Sequence, residues 1–290
     1  MSNHILRQIR TALRSLNPAD VRRSAERRLT VGLMAASTES LAAMEDFLAP
    51  PIVSRKKRIE LFEMIHRVGD PGAPARFDLE FVEEGLLTSP GSFSFSRHNP
   101  ARTVSEVIEQ RDDLSLALAR RFPPFRKSVV SRTIQQIAKE NALFSLATAL
   151  PDVIPGILQI GWAVGEFASD TTVITVNQIR MAFLIAAASD RQVGYNEQKA
   201  QIASIIAGAF GWRALARQLA GKIPFGAGLV PKAAVAYAGT YAVGQSLERY
   251  YGIGYGFSRA ERQLAYHEAF ERGKTVVRSL LDSIRERRTG

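Results

Sequence analysis

The sequence AAVAYAGTYAVGQSLERYY, residues 233–251, closes the most apolar part of the chain, which begins at Asn141. Residues 141–251 contain only fourteen charged side chains, whereas 23% of all 290 residues are charged. Alanine, glycine and branched aliphatic residues fill most of the positions between those charges. Prolines and capping residues divide the region into pieces that are long enough for helices. The composition and punctuation of residues 141–251 therefore predict an apolar multi-helix bundle.

Prolines and capping residues set the expected helix boundaries in this part of the chain. Pro151 and Pro155 should break a helix, because each proline lacks an N–H donor and clashes with the preceding turn. Asp170 suits the N-terminal cap of the next helix, and Pro231 suits the first turn of a later one. The predicted helices cover residues 125–150, 154–167, 173–188, 197–219, 232–250 and 259–287.

An apolar region of this length raises the question of membrane-spanning helices. Its longest uncharged run, residues 233–247, has fifteen residues, and a spanning helix needs about twenty apolar residues. Asp152 and two prolines interrupt residues 141–165, and a lone carboxylate is costly at the centre of a bilayer. We therefore expect a cytoplasmic protein that is peripheral to an inner membrane, with integral insertion as the alternative.

The N-terminal part of the chain predicts a small α/β domain. Strands are expected at residues 29–35 and 76–84, helices at 39–48, 55–68, 103–110 and 114–121, and a loop at 86–99. A strand, a loop and a helix in this order open nucleotide-binding α/β domains. A phosphate-binding loop needs GxxxxGK[ST], but the loop after the first strand has no lysine and no second glycine. Its Ser-Thr pair, residues 37–38, is better explained as a helix N-cap.

These features predict a mainly α-helical fold with two domains. Residues 1–100 would form basic helices and a degenerate α/β domain, and residues 101–290 would form the helical bundle. The chain has no cysteine, which excludes disulfides, thiolate metal sites and a cysteine nucleophile. Its four histidines are scattered without metal-binding spacing, so we expect no metal and no cofactor.

Positive charge is concentrated at the two ends of the chain, whose net charge is +10. Residues 1–30 hold seven arginines and two acids, and residues 4–16 predict a helix with an apolar stripe. A basic amphipathic helix can lie on an anionic membrane, although such helices more often pack against their own domain. No basic run is interleaved with aromatic residues, which argues against nucleic acid as a partner. The candidate membrane-surface residues are Arg7, Arg10, Arg14, Arg22 and Arg23.

Several short motifs together resemble a bacterial helical family. They are ARRFP at residues 119–123, NA at 141–142, TALPDVIP at 148–155, ASDT at 168–171, TVNQ at 175–178 and the run at 233–251. The family is the domain of unknown function 697, which accompanies small dynamin-like or Era-like GTPase domains and also occurs in YcjF-like inner-membrane proteins. The resemblance covers residues 115–252. It implies a helical, membrane-linked partner of a GTPase, with no catalytic residues of its own.

The chain departs from the GTPase members of that family at the decisive place. In those members a P-loop follows an Ala-Glu-Arg helix and an apolar strand, and residues 25–35 of this chain resemble that helix and strand. The P-loop lysine and glycine are absent, and no NKxD motif follows. Residues 70–72, Asp-Pro-Gly, form a turn rather than a DxxG motif. The resemblance therefore implies a pseudo-GTPase domain.

Polar residues inside the apolar region are the candidate site of the helical domain. Asp170 and Asn177 are seven positions apart on one helix face, and Gln178 is adjacent to Asn177. They could line a polar pocket or a switch between helices. Alternatively, Asp170 caps its helix while Asn177 and Gln178 bridge neighbouring helices. Four tyrosines of the last apolar segment could form an interfacial aromatic belt or pack in the core: Tyr237, Tyr241, Tyr250 and Tyr251.

Together, these patterns predict a non-enzymatic helical protein that associates with a membrane surface, with a partner GTPase, or with both. One alternative is a GTPase-like nucleotide hydrolase with an unorthodox loop. Another is a soluble helical interaction module with no membrane role. The missing P-loop argues against the hydrolase, and binding to membranes separates the other two.

Overall fold

Helices make up most of the chain, and a small parallel sheet lies in its N-terminal part. The computed structural model describes residues 9, 11, 16–148, 170–208 and 229–289. The strands are β1 (Val31–Met34), β2 (Ile65–Arg67), β3 (Leu79–Glu83) and β4 (Phe93–Phe95). The helices are α1 (Pro18–Glu26), α2 (Thr38–Leu48), α3 (Arg55–Phe62), α4 (Pro100–Gln110), α5 (Ser115–Arg121), α6 (Pro123–Ala147), α7 (Asp170–Ala188), α8 (Leu229–Ile253) and α9 (Arg259–Thr289). Residues 199–208 are also helical.

The sheet has the strand order β2-β1-β3-β4, and every neighbouring pair is parallel. In register, Val31 of β1 lies opposite both Ile65 and Leu79. Apolar side chains of all four strands are buried, as expected for a parallel sheet with helical connections. The order is that of the first four strands of one doubly wound α/β arrangement. A mainly helical chain with a small N-terminal α/β part, as the sequence predicted, is confirmed.

Two predictions for the N-terminal part are wrong. Residues 55–68 were expected to be one helix, but α3 ends at Phe62 and residues 65–67 form β2 beside β1. Residues 86–99 were expected to be a loop, but they contain β4, whose Phe93 and Phe95 are both buried. Both strands are only three residues long. Their conformation comes from pairing with β1 and β3, and local periodicity cannot detect a segment of that length.

The chain divides into two compact units. The sheet unit comprises residues 20–131 and 187–192, and the bundle unit comprises residues 1–19, 132–186 and 193–290. The boundary predicted at residue 100 therefore falls inside the sheet unit. The reason is that α4 and the residue after it bind the strands: Thr103 Oγ1 donates to Ser94 O at 2.9 Å, and Arg111 donates to Asp78 O.

In the sheet unit, basic side chains bind residues 187–192, where α7 ends. Arg126 Nε donates to Ala188 O at 3.0 Å, and Arg120 Nη1 donates to Arg191 O at 2.8 Å. Lys57 Nζ lies 2.8 Å from an Asp190 carboxylate oxygen. The last carbonyls of a helix have no intrahelical partner, and cations favour this end of the helix dipole. These contacts explain why a segment so late in the sequence belongs to the sheet unit.

In the bundle unit, α8 and α9 form an antiparallel hairpin. Arg249 pairs with Glu261 near the connecting turn, and further from it Arg272 Nη1 donates to Tyr241 Oη at 2.6 Å. The helices α6 to α9 correspond to the predicted helices 125–150, 173–188, 232–250 and 259–287. The predicted break at Pro151 and Pro155, and most of the helices predicted at 154–167 and 197–219, lie outside the described residues.

Candidate functional site

The first candidate site is the carboxyl edge of the sheet between β1 and β3. The chain leaves β1 towards β2 on one side, while β3 and β4 extend the sheet on the other side. In doubly wound folds, ligands bind at such a switch point, and phosphates lie against the helix that follows the first strand. In this chain that helix is α2, and Ser37 caps it by accepting a hydrogen bond from Ser40 N at 3.0 Å. The N-cap predicted at residues 37–38 is therefore confirmed, at Ser37.

A carboxylate of the protein lies beside the start of this helix. Glu83, the last residue of β3, accepts hydrogen bonds from Ala36 N at 2.8 Å and from Ser40 Oγ at 2.5 Å. Hydrogen bonding from Ser40 and then from Ala36 lowers the pKa of Glu83 below its ordinary value. These two hydrogen bonds tie the loop after β1 and the first turn of α2 to β3. A carboxylate beside the start of α2 disfavours a phosphate there, because like charges repel.

The second candidate site is a set of uncharged polar side chains buried among α6, α7 and α8. Asn177 Nδ2 donates to Asn141 Oδ1 at 2.7 Å, and Asn141 Nδ2 donates to Thr240 Oγ1 at 2.8 Å. Gln178 Nε2 donates to the same Thr240 oxygen at 3.3 Å. Thr240 itself donates to Ala236 O, one turn earlier in α8, at 2.9 Å. We call Asn141, Asn177, Gln178 and Thr240 the polar network; each side chain is at most 5% exposed.

The network brings together two of the three predicted site residues. Asn177 and Gln178 both belong to it and bridge neighbouring helices, whereas Asp170 is the first residue of α7. At about 1.5 Å of rise per residue, Asp170 lies roughly 10 Å along the helix from Asn177. Asn141 and Thr240 were not predicted as site residues. Each is a polar residue inside an uncharged apolar run, and each lies in a segment that carries the family resemblance. Those two properties could have identified them as site residues.

The chemistry of the polar network favours a structural role. None of its four members has an ionisable side chain at physiological pH, so proton transfer by these groups has no basis. A hydrogen bond between a side chain of α7 and one of another helix forms only when the two helices are in one particular relative position. Buried and satisfied networks of this kind fix helix register and specify a single core arrangement. The hydrogen bonds of Asn177 and Gln178 to other helices correspond to the predicted bridging role.

Of the five predicted membrane-surface arginines, two lie among the residues that the structure describes. Arg22 and Arg23 are exposed on α1, and Arg23 forms an ion pair with Asp20. Arg7, Arg10 and Arg14 lie outside the described residues. In the same N-terminal segment, Ile9 and Leu16 are 1% and 5% exposed. The apolar stripe predicted for residues 4–16 is therefore used inside the protein at these two positions.

Within the described ranges, one helix is long and apolar enough to cross a membrane. It is α7, in which residues Thr171–Ala188 have a mean hydropathy of 1.3, and 78% of this segment is buried inside the protein. Buried core helices of soluble proteins have the same properties. This burial is consistent with a soluble or peripherally attached protein.

Other site chemistry has little support in the described part of the chain. No group of three or more His, Cys, Asp or Glu side chains that could hold a metal ion occurs among those residues.

Of the four tyrosines considered for an aromatic belt, Tyr237, Tyr241 and Tyr251 are buried, and Tyr250 is 38% exposed. Core packing therefore explains three of them.

The chain matches no family model, no curated protein and no solved structure. The resemblance to the domain of unknown function 697 family thus stays a prediction based on the motifs between residues 115 and 252.

Proposed function

We propose that this protein is a non-enzymatic helical protein that attaches peripherally to an anionic membrane surface. One observation supports it most: the N-terminal segment buries several of its described apolar residues and exposes its described arginines. Ile9, Leu16 and Ala25 are buried, while Arg22 and Arg23 are exposed. Such a segment attracts anionic lipid without itself inserting, by about 1 kcal/mol for each basic residue near the surface. A partner GTPase is the second proposed attachment, and it rests on the family resemblance alone.

Charge removal on α1 tests this proposal. We expect the variant Arg22→Gln/Arg23→Gln to bind vesicles of phosphatidylcholine and phosphatidylglycerol roughly tenfold or more weakly than the wild type, because two near-surface charges are lost. Binding of the wild type should also weaken as salt rises, since exposed charges are screened. Vesicle co-sedimentation measures both effects.

The control removes the same charge elsewhere. Arg76 and Arg102 are also exposed, so the variant Arg76→Gln/Arg102→Gln has the same net charge as the α1 variant. Equal losses from both variants would show attraction by overall charge and not by α1. If the wild type does not bind anionic vesicles at all, the protein is better explained as a soluble interaction module. Deleting residues 1–28 is a poorer test, because it also removes the buried Ile9 and Leu16.

The non-enzymatic part of the proposal predicts no micromolar affinity for GTP or ATP in the presence of Mg²⁺. Phosphoryl-transfer catalysis needs a P-loop lysine and backbone donors for the phosphates. Here the loop after β1 has no lysine, and Glu83 accepts from Ala36 N and Ser40 Oγ beside the start of α2. Isothermal titration calorimetry of the wild type is the measurement. Micromolar binding of either nucleotide would overturn this part and favour the unorthodox hydrolase.

A further inference from the structure

The turn between α8 and α9 presents an exposed apolar tip. Tyr250 is 38% exposed, Ile253 and Tyr255 are each 58% exposed, and Leu264 of α9 is 61% exposed. A Cβ atom built at Gly252 or Gly254 would meet no heavy atom within 4 Å, so the backbone of the tip faces open space. Single exposed apolar residues are ordinary, but several close together mark a contact surface. We call Tyr250, Ile253 and Tyr255, which lie within six residues of one another in the chain, the hairpin tip.

The turn that carries the hairpin tip is held by side-chain contacts. Phe257 N donates to Ser246 Oγ at 3.0 Å. Ser258 and Glu261 form a capping box at the start of α9: Ser258 N donates to a Glu261 carboxylate oxygen at 2.8 Å, and Glu261 N donates to Ser258 Oγ at 3.3 Å. The backbone turns at Gly254, whose φ of 91° is a left-handed conformation that glycine adopts without strain.

Arg249 also contacts the residues of this turn. The guanidinium of Arg249 lies 4.9 Å from the ring centre of Tyr255 and 5.5 Å from that of Phe257. It also pairs with Glu261, and this hydrogen bond is the main reason that the pKa of Glu261 falls to about 2. The carboxylate thus stays charged at any physiological pH. It loses this stabilising contact only as the pH falls from the ordinary range of a glutamate towards 2. The tip is therefore ordered before any partner arrives, which lowers the entropic cost of binding.

The chemistry of the tip fits a lipid surface. Tyrosine places its ring in apolar surroundings and its hydroxyl in water, and it is enriched where membranes meet water. Arg259 and Arg262 at the start of α9 are exposed, and arginines beside apolar side chains complement anionic headgroups. Given the peripheral attachment proposed above, on which this inference rests, we propose that the hairpin tip inserts into the interfacial layer of an anionic lipid bilayer.

A matched pair of isoleucines tests the insertion. Ile253 is 58% exposed in the tip, and Ile59 is 54% exposed on α3. We expect Ile253→Ser to bind vesicles of phosphatidylcholine and phosphatidylglycerol about tenfold more weakly than the wild type, because its apolar contact with lipid is lost. Ile59→Ser should bind like the wild type. Equal weakening by both substitutions, or none from Ile253→Ser, would overturn the inference.

A labelling experiment measures insertion directly. Because the chain has no cysteine, the single variants Ile253→Cys and Ile59→Cys can each carry one environment-sensitive fluorophore. We expect the emission of the label at position 253, but not at position 59, to shift to the blue when anionic vesicles are added. Vesicle binding without that shift would overturn the insertion and leave peripheral attachment standing. The absence of vesicle binding by the wild type would instead reject the attachment itself. A blue shift produced by another protein, and not by vesicles, would indicate a protein partner and overturn the lipid assignment.

Discussion

Asn141→Leu is expected to destabilise the bundle unit by about 2–3 kcal/mol. The leucine removes both hydrogen bonds that Asn141 makes, to Asn177 at 2.7 Å and to Thr240 at 2.8 Å. Thr240 keeps its bonds to Gln178 and to the carbonyl of Ala236. The Asn177 amide instead loses its bond to Asn141 in a site where it is only 5% exposed. The free energy of unfolding in urea, monitored by circular dichroism, is the measurement.

Gln136→Leu on the same helix is the control for this substitution. Gln136 is exposed and donates to Glu140 Oε1 at 3.1 Å, so its replacement should change stability by less than about 0.5 kcal/mol. A second variant, Asn141→Leu/Asn177→Leu, should recover part of the loss, because both partners then become apolar. If Asn141→Leu unfolds at the same urea concentration as Gln136→Leu, the polar network does not hold the helices together.

Gly244→Val is the second substitution with a large expected effect, a loss of about 1–3 kcal/mol. A Cβ atom at Gly244 of α8 would lie 2.7 Å from Ile134 Cγ2 and 3.1 Å from Met181 Sδ. Both neighbours belong to other helices, α6 and α7, and both are buried. A close-packed core of this kind cannot take an extra side chain without displacing a helix. The change in the free energy of unfolding is again the measurement.

Gly252→Val separates crowding from helix propensity. Gly252 belongs to the same helix, and a Cβ atom there would meet nothing within 4 Å. Since valine is a slightly better helix former than glycine, this control should be neutral or slightly stabilising. The double variant Gly244→Val/Ile134→Ala should regain part of the lost stability by giving the valine room. Equal stability of the two glycine variants would contradict the close contact between helices.

The helical part of the fold could be predicted because its signals are local. Proline and capping residues fixed the expected boundaries, and the predicted ranges of α6, α7, α8 and α9 agree with the structure to within a few residues. The strands β2 and β4 could not be found in this way. Segments of three residues hold almost no periodicity, and both strands are stabilised by pairing with another strand, β2 with β1 and β4 with β3.

The same distinction applies to the candidate site. Asn177 and Gln178 were found because polar residues interrupt one apolar helix. Asn141 is 36 positions before Asn177 and 99 positions before Thr240, and no spacing rule within one helix connects residues so far apart. The role of Glu83 was missed for a similar reason, since its donors lie 43 and 47 positions earlier. Only the pairing of β3 with β1 places that carboxylate beside α2.

The binding of residues 187–192 within the sheet unit has a consequence for synthesis on the ribosome. Lys57, Arg120 and Arg126 are translated long before residues 187–192, which supply their partners. The nascent chain must grow by about sixty residues beyond Ser131, which takes roughly 3–12 s at 5–20 residues per second. Until then the sheet unit lacks its last segment: Lys57 lacks its partner Asp190, and Arg120 and Arg126 lack carbonyl groups that they bind in the complete chain. Completion of the N-terminal fold therefore depends on a late part of the message.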